Sequence, residues 1–170
     1  KSSIIKTLQH PTVASKSFLI TIGDRTVGGM VARDQFVGPF QVPVSDYSLC
    51  LRSFTSITGE VLSIGEKPTL AITNAAASMR MALAEALTNM IGVVIKGLNY
   101  VQVSANWMAA SGEEQQDIAL RDGVEALSKM SIDLKVSIPV GKDSLSMKTK
   151  WKDNENELEV TSPLSGVITA

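Results

Sequence analysis

The segment of residues 75–91 constrains the fold of this chain more than any other. It is rich in Ala, Leu and Met, all strong helix formers, and Arg80 and Glu85 are its only ionisable residues. A helix with a solvated face normally carries more charge than this. We therefore expect a helix here whose two faces are both covered by other parts of the fold.

The two faces of this predicted helix differ in chemistry. An apolar stripe at helical spacing is formed by Met79, Leu83, Leu87 and Met90. The other face is small and polar, and consists of Ser78, Ala82, Glu85 and Asn89. Glu85 and Asn89 are four residues apart, so both side chains point the same way and could offer oxygen ligands to a hard cation such as Mg²⁺. The alternative is a surface Glu hydrogen-bonded to Asn, and spacing alone does not decide between them.

The remaining patterns alternate between helix and strand. We expect helices over residues 2–9 and 113–129, the second with Ile118, Val124 and Leu127 pointing inward. Strands are expected over residues 18–22, 44–54, 70–73, 100–105 and 165–170, and a hairpin over 145–151 and 157–161; residues 136–139 form a short apolar segment. Residues 23–43 hold four glycines and two prolines and predict a long, functional loop. The fold class is therefore α/β or α+β.

Composition excludes several classes of function. The chain has 16 basic and 17 acidic residues with no basic stripe, which argues against nucleic acid or an anionic membrane as its partner. No apolar run is long enough to span a bilayer. With one Cys and one His, the chain cannot form an internal disulfide or a His/Cys zinc site. Cys50 is expected to be a small buried hydrophobe and His10 a capping or surface residue.

Two further polar positions have open interpretations. Asp46 interrupts an apolar stretch just after the Gly- and Pro-rich loop, so it could bind a metal or loop amides. The GKDS sequence at residues 141–144 is similar to the end of a phosphate-binding P-loop, but Val136 stands where the first Gly is needed and Asp143 where Ser or Thr is needed. By itself this sequence indicates a turn with a solvated Lys142.

Both ends of the chain suggest a piece of a longer polypeptide. It begins at Lys1 with no initiator Met and no signal-peptide pattern, and it stops inside a predicted strand. We expect residues 1–170 to be one subdomain of a multidomain protein.

A set of long contiguous motifs resembles one enzyme family. The motifs are DRTVGGMVARDQ (24–35), VGPFQVPVSD (37–46), IGEK (64–67), EALTN (85–89), SANWMAA (104–110) and PVGKDSLSMKT (139–149). Together they resemble phosphoribosylformylglycinamidine synthase of the large, single-chain type, over residues 16–170. Such enzymes are cytoplasmic ligases that use ATP and glutamine-derived ammonia to convert formylglycinamide ribonucleotide to its amidine in purine biosynthesis.

The resemblance implies both a fold and a set of partners. The synthetase part of such an enzyme consists of two pseudo-symmetric copies of one unit, and each copy has two subdomains. The resemblance implies that this chain is the first subdomain of the second copy. Its fold would be that of the N-terminal subdomain of aminoimidazole ribonucleotide synthetase, a mixed sheet backed by helices. The partners would be the substrate ribonucleotide, ATP, the other copy and a glutaminase domain of the same chain. Neither Cys50 nor His10 fits a glutaminase centre, so that domain would lie elsewhere.

By motif, the resemblance also assigns residues. Asp46, Glu85 and Asn89 match Mg²⁺ ligands, and Lys16 and Ser45 match residues that contact the ATP or ADP. Asp24 of the DRT motif would face the amide substrate or the ammonia route. The roles of Lys142 and Ser144 stay open.

Three interpretations of this site follow from the resemblance. The site could belong to a working ligase centre, or it could hold a permanent ADP–Mg²⁺ that only supports the fold; a second-copy position favours the latter. The third is a related enzyme such as aminoimidazole ribonucleotide synthetase, selenophosphate synthetase or thiamine-phosphate kinase, against which the GKDSLSMKT and SANWMAA motifs weigh. Since a following subdomain would supply further ligands, we expect these 170 residues alone to bind MgATP poorly and to be inactive.

Overall fold

The computed structural model describes residues 1–22 and 29–170, except for the side chains of residues 20–22. Within these residues the chain forms two compact units, residues 1–60 and residues 61–170, which are described separately. Asp24 and residues 23–28 around it lie outside the described part. No helix within the described ranges is long and apolar enough to cross a membrane.

The first unit consists of short elements. They are helices α1 (Ser2–Gln9) and α2 (Ser17–Ile22), and the antiparallel strands β1 (Val31–Arg33) and β2 (Tyr47–Leu51). Helix α1 confirms the prediction for residues 2–9, although none of its residues is buried. Its stripe of Ile4, Ile5 and Leu8 is more than half exposed.

The prediction of a strand over residues 18–22 is wrong, because these residues belong to α2. A helical turn closes there, with the amide of Leu19 donating to the carbonyl of Lys16 at 2.9 Å. The run is apolar and β-prone, but a short apolar run does not distinguish a strand from a helix by its periodicity, and strand propensity depends on the neighbours available for pairing.

The second unit contains the remaining elements. They are β3 (Gly59–Gly65, which begins at the end of the first unit), α3 (Pro68–Ala71), α4 (Ala75–Asn89), a short 3-10 helix (Leu98–Tyr100), β4 (Gln102–Met108), α5 (Glu114–Leu134), β5 (Ser137–Ser144), β6 (Lys148–Asp153), β7 (Asn156–Thr161) and β8 (Ser165–Thr169). Strands β3, β8, β4 and β5 lie side by side in that order. The β4–β5 pair is parallel, and the other two pairs are antiparallel, so the sheet is mixed.

Helices α4 and α5 cover one face of this mixed sheet. Met79, Leu83 and Leu127 of the two helices are at most 1% exposed and pack with Val103 of β4 and Ile168 of β8. The two helices approach closely at Gly123, where an added Cβ would lie 3.0 Å from Met79 Cγ. A mixed sheet backed by helices confirms the predicted α/β class.

Helix α4 confirms the central prediction from the sequence. Its apolar stripe is buried at Met79, Leu83 and Met90, and its small face is buried at Ser78 and Ala82. Asn74 caps its first turn, with its side-chain oxygen accepting from the amide of Ala77 at 2.8 Å. Both faces are therefore covered over most of their length, as the low charge predicts, and Glu85 toward the end of the small face stays 30% exposed.

Two other predictions in this unit need correction. Residues 70–73 are not a strand: Pro68 begins the short helix α3, where its fixed φ suits the first helical position. Helix α5 is longer than predicted, and of its three inward candidates only Leu127 is buried, whereas Ile118 and Val124 are 46% and 43% exposed. The β6–β7 hairpin is confirmed, with Asp153 pairing with Asn156 across the turn.

Candidate functional site

The carboxylate of Glu85 on α4 lies beside the segment that follows β3. Its Oε1 accepts a hydrogen bond from Lys67 Nζ at 2.6 Å, and its Oε2 accepts from the backbone amide of Glu66 at 2.8 Å. The ammonium of Lys67, helped by the Glu66 amide and opposed by partial burial, lowers the pKa of Glu85 below its ordinary value. Glu85 is therefore an ionised carboxylate in contact with a cation, with 30% of its side chain exposed.

Asn89, one turn later on α4, contacts the same segment. Its Nδ2 donates to the backbone carbonyl of Ile64 at 2.9 Å. A carbonyl oxygen can only accept, so this bond fixes which side of the amide is the NH₂ group. Asn89 Oδ1 consequently faces away from Ile64, and no described residue donates a hydrogen bond to it.

Gly65 allows this close approach of β3 to α4. A Cβ at Gly65 would overlap the carbonyl oxygen of Ala82 and would lie 2.5 Å from the amide nitrogen of Ala86 and 3.0 Å from Glu85 Cβ. Only glycine fits against the helix backbone here. The missing side chain brings the backbone of residues 64–66 within hydrogen-bond reach of Glu85 and Asn89.

Two serines complete the attachment of α4 to this segment. Ser63 Oγ donates to the carbonyl of Ala86 at 2.6 Å, and Ser78 Oγ donates to the carbonyl of Lys67 at 2.6 Å. With Glu85 and Asn89, four side chains of β3 and α4 thus bond to backbone groups of the facing element. We call this set, with Lys67, the β3–α4 clamp.

The donor chemistry of the clamp suits a hard cation. Mg²⁺ prefers carboxylate and amide oxygens, and Glu85 and Asn89 Oδ1 provide one of each within one turn of helix. The contact between Lys67 and Glu85 shows that this carboxylate attracts a positive charge. No cluster of three His, Cys, Asp or Glu side chains able to hold a metal occurs within the described ranges. A metal here would need further oxygen ligands from the nucleotide, from water or from another segment.

Ser45 and Asp46 lie together in the first unit, just before β2. Ser45 Oγ donates to the carbonyl of Tyr47 at 2.6 Å and accepts from Arg33 Nε at 3.4 Å. The guanidinium of Arg33 also stands 5.2 Å from the centre of the Tyr47 ring. Asp46 is exposed, and its carboxylate has no hydrogen-bond or ion-pair partner among the residues that the structure describes.

Lys16 also belongs to the first unit. Its side chain is exposed and donates to the carbonyl of Ala14 at 2.6 Å. The structure therefore places Glu85 and Asn89 together in the second unit, and Ser45 and Asp46 together in the first. Asp24, the predicted substrate-facing residue, lies outside the described residues.

Sequence reasoning missed Lys67 as the partner of Glu85. The two residues are 18 positions apart, which no helical or strand period connects. The IGEK motif at residues 64–67 was the available signal, since it combines the glycine, the donating amide and the lysine of the clamp.

Comparison with known proteins agrees with this architecture. The sequence model of the FGAR-AT PurM_N-like domain family matches residues 15–170. Three solved structures from Thermotoga maritima share the fold: PurLQS (TM-score 0.55, 13% identity), PurL complexed with ADP (0.52, 13%) and phosphoribosylformylglycinamidine synthase II (0.51, 14%). The matches cover 74%, 74% and 73% of this chain but only 19% of each of those chains. This chain thus spans about a fifth of the length of the structures it matches.

Proposed function

This chain belongs to the FGAR-AT PurM_N-like domain family, and from that premise we propose that it supplies part of a Mg²⁺–nucleotide site to a larger amide-to-amidine ligase. In this proposal Glu85, Asn89 and Asp46 hold the metal, and Lys16 and Ser45 contact the nucleotide. The parent enzyme converts formylglycinamide ribonucleotide to its amidine, with ATP and glutamine-derived ammonia.

The observation that carries this proposal is the state of Glu85 and Asn89. Glu85 is ionised and already contacts a cation, and Asn89 has its amide oriented so that Oδ1 is available. The donor set is that of a hard-cation site. When bound, Mg²⁺ would neutralise charge on the phosphate oxygens of the nucleotide.

Lys67 has a defined part in this proposal. A metal held by Glu85 would compete with Lys67 for the carboxylate, and the released ammonium would turn toward solvent or toward a phosphate oxygen. Lys67 is 38% exposed, so its side chain has room for that change. The choice of a nucleotide as the ligand is supported by one of the structures that share the fold, PurL of Thermotoga maritima complexed with ADP.

A structural role for the bound nucleotide is the second candidate. The favouring observation is that Glu85 and Asn89 both hydrogen-bond to the backbone of residues 64–66, so the proposed ligands also connect β3 to α4. A permanently bound ADP–Mg²⁺ would then strengthen the clamp without turnover. In either case we propose that residues 1–170 act as one subdomain and that its partners are the other domains of a longer chain, including a pseudo-symmetric copy and a glutaminase domain.

Asp24 belongs to this proposal as a residue of the substrate side. We propose that it faces the amide substrate or the route of ammonia, on the basis of the DRT motif alone. Asp24→Asn should then lower ligase activity and leave the amount of bound nucleotide unchanged.

The test that separates the two roles uses Asp46→Asn in the full-length parent protein. Steady-state ligase activity, thermal stability and nucleotide released on denaturation are measured together. Lost activity in a protein as stable as wild type supports a catalytic metal site. If the variant loses bound nucleotide and thermal stability, but the protein that remains folded is still active, the site is structural. If Asp46→Asn alters none of the three quantities, Asp46 is not a ligand.

A further inference from the structure

A polar cluster lies on β5, in a motif that the proposed nucleotide site does not use. Lys142 and Ser144 are two residues apart on this strand, so their side chains share one face of the sheet. Lys142 Nζ donates a hydrogen bond to Ser144 Oγ. The intervening residue, Asp143, points to the opposite face, so its negative charge is directed away from the pair.

Asn106 on β4 extends this cluster across the sheet. It is the register partner of Lys142 in the parallel β4–β5 pair, and adjacent strands lie only about 4.8 Å apart. Val103 and Ala105 of the same strand are buried under the helices. Because side chains alternate along a strand, Asn106 lies on the opposite face, and its register partner Lys142 shares that face. Asn106, Lys142 and Ser144 therefore form one cluster on the face of the sheet opposite the helices.

The side-chain oxygen of Asn106 lacks a hydrogen bond. Asn106 Oδ1 is shielded from solvent and has no donor among the described residues. Its register partner on the other side, Val167 of β8, has no side-chain donor, and the ammonium of Lys142 is engaged with Ser144. A buried acceptor without a donor costs free energy, so such a group in a native protein calls for an explanation.

We propose that Asn106, Lys142 and Ser144 bind a small oxyanion that carries a neighbouring O–H or N–H donor. The oxyanion, a phosphate monoester or a carboxylate, accepts from Lys142 Nζ and from the hydroxyl of Ser144. Asn106 Oδ1 is shielded in the unliganded chain, so the donor of the same ligand would reach it only when the exposed Lys142 side chain turns from Ser144 toward the oxyanion. This site shares no residue with the proposed nucleotide site, and no metal is needed for it.

The chemistry of the three groups sets the specificity. Lys142 provides a positive charge and Ser144 a rotatable hydroxyl, which together suit an oxyanion. Asn106 Oδ1 accepts only, so it selects for a ligand with a hydroxyl or an amide N–H beside the anionic group. Sulfate, an oxyanion that carries no proton at neutral pH, should satisfy the first two groups alone, whereas glycerol 3-phosphate can satisfy all three.

The test measures binding of glycerol 3-phosphate and sulfate to the full-length parent protein by equilibrium dialysis, with thermal stability recorded without ligand. Lys142→Met should weaken the binding of both probes about tenfold or more, because a hydrogen bond to a charged group is lost. Asn106→Leu should weaken only glycerol 3-phosphate, and should leave Tm without ligand unchanged or higher, because a polar atom without a partner is replaced by an apolar side chain with the same number and branching of heavy atoms. Lys150→Met, which removes the same charge from the β6–β7 hairpin, should leave both affinities unchanged.

Three results would overturn the proposal. The first is that wild-type protein shows no saturable binding of glycerol 3-phosphate, or that Lys142→Met leaves such binding unchanged. The second is that Asn106→Leu lowers Tm and leaves both affinities intact, because Asn106 would then be paired with another part of the protein. The third is that Lys150→Met weakens binding as much as Lys142→Met does. None of these results bears on nucleotide binding at Asp46, Glu85 and Asn89.

Discussion

Glu85 and Lys67 form an ion pair in which Oε1 lies 2.6 Å from Nζ, while the other carboxylate oxygen accepts from the amide of Glu66. Both side chains keep roughly a third of their surface exposed, at 30% and 38%. The pair therefore has two properties at once. It attaches α4 to the segment after β3, and solvent or a ligand can still reach it.

The ion pair predicts a specific acid dependence of stability. Because the pKa of Glu85 is lower in the folded chain than in the unfolded chain, its contribution is fully present above the ordinary carboxyl pKa. It is lost as pH falls through the lowered pKa of the folded state. Glu85→Gln should cost about 0.5–1 kcal/mol at pH 7, typical of a partly exposed pair, and the cost should vanish in strong acid. Urea unfolding of both proteins from neutral pH into strong acid measures this, and a pH-independent difference would contradict it.

Gly65→Ala should be strongly destabilising. The new Cβ would meet the backbone of α4 at Ala82 and Ala86, and backbone atoms cannot move aside as a flexible side chain can. Overpacking of this kind costs about 1–3 kcal/mol, and the bonds from Glu85 and Asn89 would weaken with it. Chemical denaturation gives the change in the free energy of unfolding. Gly141→Ala is the control, since its Cβ would meet only Ala105 O, at 3.2 Å; equal effects of the two substitutions would contradict the account.

Met79→Ala should leave a cavity between α4, α5 and β8. Met79 is fully buried and lies against the positions of Gly123 and Gly166. Truncation of such a residue costs about 2–5 kcal/mol. Met81→Ala on the same helix is the matched control, because Met81 is 47% exposed and should cost far less. Thermal or urea unfolding compares the two variants, and a Met81 effect as large as that of Met79 would show that the core is placed wrongly.

Asn74→Ala should loosen the start of α4. The side chain of Asn74 accepts from the amide of Ala77, and loss of an N-cap bond costs about 1 kcal/mol. Asn74→Asp keeps an acceptor at this position and should restore most of that stability. Hydrogen exchange at the first turn of α4 should rise in the Ala variant only. Unchanged exchange there would mean that the cap is not formed in solution.

The sequence predicted the helical part of this fold better than the sheet. Low charge and strong helix formers define α4, and these are local signals. Strand β3 was not predicted at all, because its inward positions include Ser63 and Gly65, which are too small to produce an apolar alternation. The apolar run of residues 70–73 indicates a strand, but Pro68 just before it begins a helix, and the preference of Pro for the first helical position is visible in the sequence.

The candidate site divides in the same way. Helical spacing predicts that Glu85 and Asn89 lie on the same face of α4, and the structure places both against the end of β3 and the residues that follow it. Their partners could not be derived, since Lys67 and Ile64 are 18 and 25 positions away and meet them only through the packing of β3 on α4. The assignments of Lys16, Ser45 and Asp46 depend on family resemblance and stay predictions.

The most direct test of the nucleotide-site proposal is the nucleotide content of the purified full-length protein with Glu85→Gln. This substitution keeps the shape of the side chain and removes the charge that attracts the cation. We predict that the nucleotide released on denaturation falls to a small fraction of the wild-type amount. The control Glu125→Gln, which changes an exposed carboxylate on α5, should leave that amount unchanged. Full nucleotide content in the folded Glu85→Gln protein would contradict a metal–nucleotide site at the β3–α4 clamp.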